Sequence, residues 1–203
     1  MVGDGQGQVR DLHEGTPTPG QIAVSYFASV NSTRPTAARH TWPELVGILS
    51  THTRLPRKEA GRLFSPVEYE EGHTRKGGDH PAVVTLAVSD LEHDVNITAL
   101  QQHLERHGLA YVIYSSYNHK PDAPRGRVVV PWADPVPNDQ WPEVEARWLL
   151  FVSQGGCKPD EVCKDAKRMY YLPAAPPGAD VIAFSGDGYR SEERRVGKEC
   201  RSR

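Results

Sequence analysis

The chain has 203 residues, with 24 Lys/Arg against 26 Asp/Glu and a formal net charge of −2. That balance excludes a histone-like or polybasic nucleic-acid binder, so any nucleic acid must be held by a local basic patch. Cysteine is too scarce for a disulfide scaffold. No secretory h-region or apolar run of about eighteen residues appears, which makes a soluble cytoplasmic protein the default expectation.

In chain order, residues 1–20 are rich in Gly, Pro, Thr and charge and lack periodicity, as expected of a disordered leader. One domain is expected over residues 21–189. Ile22–Val30 has the β-branched and aromatic content of a strand. Thr41-Trp42-Pro43-Glu44 has the capping-box spacing that opens a helix, with Leu45, Ile48 and Leu49 as its apolar stripe. Pro56–Gly78 is charged and turn-rich, with a short strand at Phe64–Tyr69. Ala82–Val88 is a continuous apolar run, the pattern of a strand buried on both faces. A helix over Asn96–His107 follows, capped by Asn96 and stopped by Gly108. Leu109–Tyr114 and Arg127–Trp132 are the next strands, Asn138–Gln154 is a helix, and Arg168–Leu172 and Val181–Phe184 close the set. Strand, helix, strand, strand, helix, strand is the order of a split β-α-β unit. The expected fold is therefore α+β, an RRM- or ferredoxin-like antiparallel sheet backed by helices.

The last fourteen residues, Arg190–Arg203, stand apart. They resemble, codon for codon, the in-frame translation of a common sequencing-adapter oligonucleotide, and are expected to be non-native. The natural domain would then be cut short near Tyr189, with 18 Lys/Arg against 23 Asp/Glu and only Cys157 and Cys163 remaining.

Three segments carry candidate chemistry. Ser89-Asp90-Leu91-Glu92-His93-Asp94 follows the apolar strand, and residues two apart in an extended chain point to one side. Asp90 and Glu92 would thus present two hard oxygen ligands suited to Mg²⁺ or Mn²⁺. As a bare pair, they read more simply as solvated residues at a strand end. The second segment, Tyr114 to Arg127, gathers His119, Lys120, Arg125 and Arg127, with guanidinium forks suited to phosphate oxygens; alone it reads as a charged surface hairpin. The third, Cys157 to Pro173, places Asp160 and Asp165 ahead of a strand that opens with Arg168. Asp165 there reads equally well as a turn cap, and the two cysteines as packing residues.

Together and in this order, the segments resemble the primase–polymerase domain of the archaeo-eukaryotic primase superfamily. This domain stands at the front of many phage and plasmid replication proteins. The matching stretches are VSDLE, IYSSYNHKPDAPRGRVVVP, and Asp160 eight residues before the Arg168 of RMYYLP. Thr41-Trp-Pro-Glu-Leu and Phe64-Ser-Pro-Val fit more weakly, and the whole spans about residues 22–185. The resemblance implies template-directed nucleotidyl transfer with Mg²⁺ or Mn²⁺, single-stranded DNA and nucleoside triphosphates as partners, and a helicase domain or protein as a further one. It implies Asp90 and Glu92 as the first two metal ligands and Asp160 as the third, with Asp165 as the alternative. His119 would meet the incoming phosphates. Arg125 and Arg127 would hold triphosphate or template, Lys120 would lie among them, and Arg168 would support the site. Tyr114, Tyr117, Tyr170 and Tyr171 are candidate base-stacking residues, at least half of them expected in the core.

Three other functions compete. A rolling-circle initiator endonuclease needs a His-hydrophobic-His pair that the sequence lacks. A non-catalytic single-stranded nucleic-acid-binding module would use the arginines and tyrosines but not two carboxylates two residues apart. A metal-dependent nuclease would use similar acids.

Overall fold

The computed structural model describes residues 20–76, 81–93, 95–160 and 165–189. The expected tail and all but Gly20 of the expected leader lie outside them, as does Cys163. The fold is α+β, with three helices and mostly antiparallel sheets.

Two helix starts follow from short-range chemistry. Helix α1 (Trp42–Ser50) opens on a complete capping box: the Glu44 N–H donates to Thr41 Oγ1 at 3.5 Å, and the Thr41 N–H donates to Glu44 Oε2 at 2.7 Å. Helix α2 (Ile97–Arg106) is capped by Asn96, whose Oδ1 accepts the Ala99 N–H at 3.0 Å. Each cap satisfies a donor that the helix itself cannot. Gly108 ends this stretch at φ +64, a left-handed conformation that glycine adopts without penalty.

The larger sheet has the order β12-β7-β8-β6-β5. Its strands are β5 (Val67–Glu68), β6 (Val83–His93), β7 (Tyr111–Ser115), β8 (Gly126–Pro137) and β12 (Ala183–Gly186). Strand β8 runs antiparallel to both β6 and β7, so β6 and β7 are parallel across it, joined through α2. A ferredoxin-like label goes beyond this arrangement. After helix α3 (Trp141–Gln154), the strand pairing with β6 is the two-residue β9 (Lys158–Pro159), and β5 and β12 extend the sheet.

A second sheet lies against the first, in the order β10-β4-β1-β2. It comprises β1 (Ile22–Phe27), β2 (Thr36–His40), β4 (Leu63–Ser65) and β10 (Tyr170–Tyr171). The short strands β3 (Thr53–Arg54) and β11 (Ala174–Ala175) pair in parallel beside it. Helices α2 and α3 cover one face of the larger sheet: Leu100, Leu104, Trp148 and Val152 pack with Ala87, Leu91, Ile113 and Val128. On the other face Val24, Phe64, Tyr170, Leu45 and Leu49 pack with Leu86, Val88, Val112 and Val129. Burying each such side chain contributes about 1.5–3 kcal/mol.

Two strands depart from expectation in ways that matter. Strand β2 was not anticipated, because Thr36-Ala-Ala-Arg-His40 has little strand propensity; pairing with β1 imposes the conformation. Strand β6 does not end at Val88 but continues through the acidic motif, because β8 keeps pairing with it: Asp90 faces Arg127 and Leu91 faces Gly126. Upstream, a register shift between Val84 and Leu86 is filled by Thr85, whose hydroxyl donates to the Ala23 carbonyl at 2.6 Å and so ties the two sheets together. Among the described residues, no helix is long and apolar enough to cross a membrane.

Gly126 allows β8 to approach β7 closely, since a Cβ there would lie 2.8 Å from the Tyr114 carbonyl oxygen. Gly126→Ala should therefore cost about 1–3 kcal/mol through overpacking, read as a lowered urea midpoint; an unchanged midpoint would show that β8 has room to shift.

Candidate active site

Cross-strand pairing aligns three residues in one row across the larger sheet: Asp90 on β6, Arg127 on β8 and Tyr114 on β7. All three are buried. Each lies two residues from a core valine (Val88, Val129 and Val112) at the same strand parity, so the row lies on the face that meets the second sheet. A charge so placed must be met by opposite charge and hydrogen bonds. Asp90 Oδ1 pairs with Arg127 Nε at 2.5 Å, and Asp90 Oδ2 pairs with Arg168 Nη2 at 3.0 Å.

Arg168 reaches this point from the segment that precedes β10. The Ser65 hydroxyl donates to its carbonyl at 2.8 Å, and its own N–H donates to the Asp165 carbonyl at 2.9 Å. The same Nη2 also meets Asp160 Oδ2, at 3.1 Å. Asp160 is drawn to β6 by its backbone N–H, which donates to the Asp90 carbonyl at 3.2 Å. One guanidinium nitrogen is thus shared by two carboxylates from segments seventy residues apart. Asp165 instead caps the turn, its Oδ1 accepting the Lys167 N–H at 2.9 Å.

Aromatic rings close the cluster. The Arg127 guanidinium lies 5.9 Å from the Tyr114 ring centroid and 5.8 Å from that of Tyr170, and its Nη1 donates to the Tyr171 carbonyl at 3.0 Å. Burial works to lower the Arg127 pKa, but the Asp90 carboxylate beside it outweighs this and the value is raised. Burial pushes the Tyr114 hydroxyl up to about 12, so it stays protonated and donates to the Tyr171 carbonyl at 3.1 Å. Of the four candidate stacking tyrosines, Tyr114 and Tyr170 are core residues, while Tyr117 and Tyr171 are half-buried. On the far side of β6, Trp148 Nε1 donates to Ser89 Oγ at 2.8 Å and anchors α3 beside the acidic motif.

Beyond the cluster is an open groove of about 700 Å³, lined by Glu92, Asn96, Asp122, Arg125 and Lys158 among others. The structure therefore separates the expected pair by environment: Asp90 is buried in the arginine cluster, whereas Glu92 is exposed along the groove. Lys120 is exposed in the β7–β8 connection, bridged to Ala123. His119, in the same connection, accepts the Arg125 N–H on Nδ1 at 3.2 Å. The neutral ring then carries its proton on Nε2.

Among the described residues, no three or more His, Cys, Asp or Glu side chains gather in a metal-ion site. The oxygen chemistry of Asp90 and Asp160 suits a hard divalent cation. The point where their carboxylates converge, however, is taken by Arg168 Nη2, so a metal would have to displace it.

Two residues here were not anticipated from the sequence. Lys158 stands two residues before Asp160 and faces the groove; a lone lysine on a two-residue strand gives no signal. His52 Nε2 lies 3.0 Å from both the carbonyl and the hydroxyl of Ser115, fixing the start of the β7–β8 connection. Burial holds the His52 pKa below the usual histidine value.

No family model matches the chain, and no curated protein matches it in sequence. Among solved structures, the AEP domain of a primase-polymerase (PrimPol) from cyanophage S-2L is similar at a TM-score of 0.49 and 11% identity, over 87% of this chain and 88% of that one. This is a likeness of overall shape and assigns no role to any residue.

Asp90→Asn should cost about 3–5 kcal/mol, because it strands buried positive charge, whereas Glu92→Gln, exposed and outside the cluster, should stay within about 0.5 kcal/mol of the parent. Urea unfolding of both variants checks this, and equal stabilities would contradict the buried ion pairs. The His52 shift sets a sign for pH dependence. The folded pKa is depressed, so the unfolded chain binds more protons, and this contribution to stability falls as pH drops below about 6.5. His52→Gln should flatten that part of the stability–pH curve; an unchanged curve would mean that His52 is not the group responsible.

Proposed function

We propose that this chain is a nucleotidyltransferase of the primase–polymerase kind. It would join nucleoside triphosphates on a single-stranded DNA template, using Mg²⁺ or Mn²⁺ held by Asp90, Glu92 and Asp160. One observation carries the reading. Asp90, Arg127, Asp160 and Arg168 come from the three segments whose order resembles that family, and they meet in one ion-paired cluster beside an open groove.

A divalent ion at these carboxylates would lower the pKa of the attacking hydroxyl and neutralise charge on the triphosphate. The chain's own groups supply positioning and electrostatics, which dominate phosphoryl transfer. Arg125 and Lys158 line the groove and would hold phosphate oxygens, Arg125 by its planar fork and Lys158 as a point charge. His119 would donate its Nε2–H to a phosphate oxygen. Arg127 is fixed by Asp90, the Tyr171 carbonyl and two tyrosine rings. Its part is to hold the cluster rigid and to keep positive potential at the end of β6.

The same cluster favours one second reading. With both Asp90 oxygens engaged by arginines, the ion pairs would be purely structural and the domain a non-catalytic module for single-stranded nucleic acid.

To separate the two, the full chain is incubated with single-stranded DNA, labelled ribo- or deoxynucleoside triphosphates and Mn²⁺ or Mg²⁺, and the products are resolved on a denaturing gel. Metal-dependent products are expected from the parent and should vanish in Glu92→Gln and Asp160→Asn, with strand binding retained. A parent that binds the strand but makes no product would favour the module. Arg125→Ala should weaken triphosphate binding roughly tenfold, the equivalent of one lost charge-assisted hydrogen bond. Unchanged binding would remove Arg125 from the phosphate site.

A further inference from the structure

An acidic chain that holds a nucleic-acid strand needs a local concentration of positive charge. Between α1 and β4 the sequence supplies one. Thr53-Arg-Leu-Pro-Arg-Lys-Glu-Ala-Gly-Arg62 carries four cations, Arg54, Arg57, Lys58 and Arg62, against the single carboxylate of Glu59. Arg54, Arg57 and Arg62 are exposed and Lys58 is half-buried.

The fold attaches this segment directly to the arginine cluster. The Leu172 N–H donates to the Arg62 carbonyl at 3.0 Å, and the Tyr117 hydroxyl donates to the Leu55 carbonyl at 3.0 Å. Lys58 Nζ lies 5.0 Å from the centroid of the Tyr171 ring, and the Tyr171 carbonyl in turn accepts from Arg127. Arg62 lies 5.6 Å from the Tyr26 ring centroid. Gly61 permits the close fit: a Cβ there would come within 3.3 Å of the Tyr171 ring and 3.1 Å of the Lys58 carbonyl. Arg54 is braced by the Pro176 and Ala179 carbonyls, at 3.1 and 2.6 Å.

Cations thus alternate with half-buried tyrosines (Tyr26, Tyr117 and Tyr171) along one lip that ends at the cluster. Positive charge that tracks phosphates, interleaved with rings that offer faces to bases, is the chemistry that holds single strands without reading sequence. A duplex presents no free base faces to such rings. From this we infer that the Arg54–Arg62 lip, with Tyr26, Tyr117 and Tyr171, is the surface that holds a single nucleic-acid strand and leads it to the Asp90–Arg127 cluster. The inference rests on the nucleotidyl-transfer reading for its direction, and on the lip's own charge and rings for the binding.

The test is equilibrium binding of a fluorescent oligothymidylate to the full chain across a salt series, without nucleotide or metal. The lip variant Arg57→Ala/Lys58→Ala/Arg62→Ala is compared with the parent and with Arg106→Ala, an exposed cation on α2 in the opposite layer. Three lost phosphate contacts should lower the log–log salt slope by about 2, with Arg106→Ala indistinguishable from the parent. Far-UV circular dichroism and the urea midpoint verify that the triple variant is folded, and Lys58→Gln/Arg62→Gln, which retains part of each side-chain stem, serves as a milder pair. A parent that binds while both lip variants keep its slope would overturn the inference and leave the Asp90 cluster reading intact, and so would a parent that binds no single strand. Failure of the nucleotidyl-transfer reading appears separately, as a parent that makes no metal-dependent product.

Discussion

The Asp90 carboxylate, buried between two guanidinium groups, is the interaction on which the rest of the molecule turns. Arg127 meets it from the neighbouring strand and Arg168 from a segment almost eighty residues downstream. Without those partners a charge at that depth would cost several kcal/mol. With them it joins β6, β8 and the approach to β10, and it draws Asp160 in through their shared nitrogen. The second sheet lies against the first at the same place, with Tyr170 beneath both arginines and its hydroxyl donating to the Val88 carbonyl at 3.3 Å.

This gives one residue two tasks. Asp90 stabilises the fold and, in the proposed reaction, offers an oxygen to metal. The tasks are compatible only if Arg168 can leave its shared position when a divalent cation arrives. Arg168 is the better placed of the two arginines for that. Its side chain is 23% exposed against 7% for Arg127, and it stands at the rim rather than within the ladder. A guanidinium between two carboxylates bridges them, and in the proposed reaction a divalent cation would take its place. Loss of activity on substituting Asp90 therefore does not by itself identify a metal ligand, and Glu92 and Asp160, outside the buried row, are the cleaner probes.

What was legible in the sequence was local. The caps of α1 and α2 lie within three residues of what they cap, and the apolar runs at Ala82–Val88 and Leu109–Tyr114 mark buried strands. Charge pairing over long separations was not legible. Period-two spacing put Asp90 and Glu92 on the same side of the chain but could not say that Arg127 and Arg168 would bury the first and leave the second along the groove. Strand β2 has weak propensity and exists because β1 needed a neighbour. Pro56–Gly78 reads only as a charged, turn-rich stretch, and it is the contacts of the Arg54–Arg62 segment with Tyr171 and Leu172 that reveal where it lies. The family resemblance set out the candidate residues in order along the chain; the convergence of Asp90, Arg127, Asp160 and Arg168 is a property of the fold.

The most direct measurement is Mn²⁺ binding by electron paramagnetic resonance on the full chain, with and without a non-hydrolysable nucleoside triphosphate. If Asp90, Glu92 and Asp160 form the metal site, Mn²⁺ should bind, more tightly with triphosphate present. The bound signal should then be lost in Glu92→Gln and Asp160→Asn while the urea midpoint of each stays near that of the parent. A folded parent that binds no Mn²⁺ with or without the triphosphate, or variants that bind it as the parent does, would contradict the assignment and leave the arginine-clamped carboxylates as a purely structural ion-pair cluster.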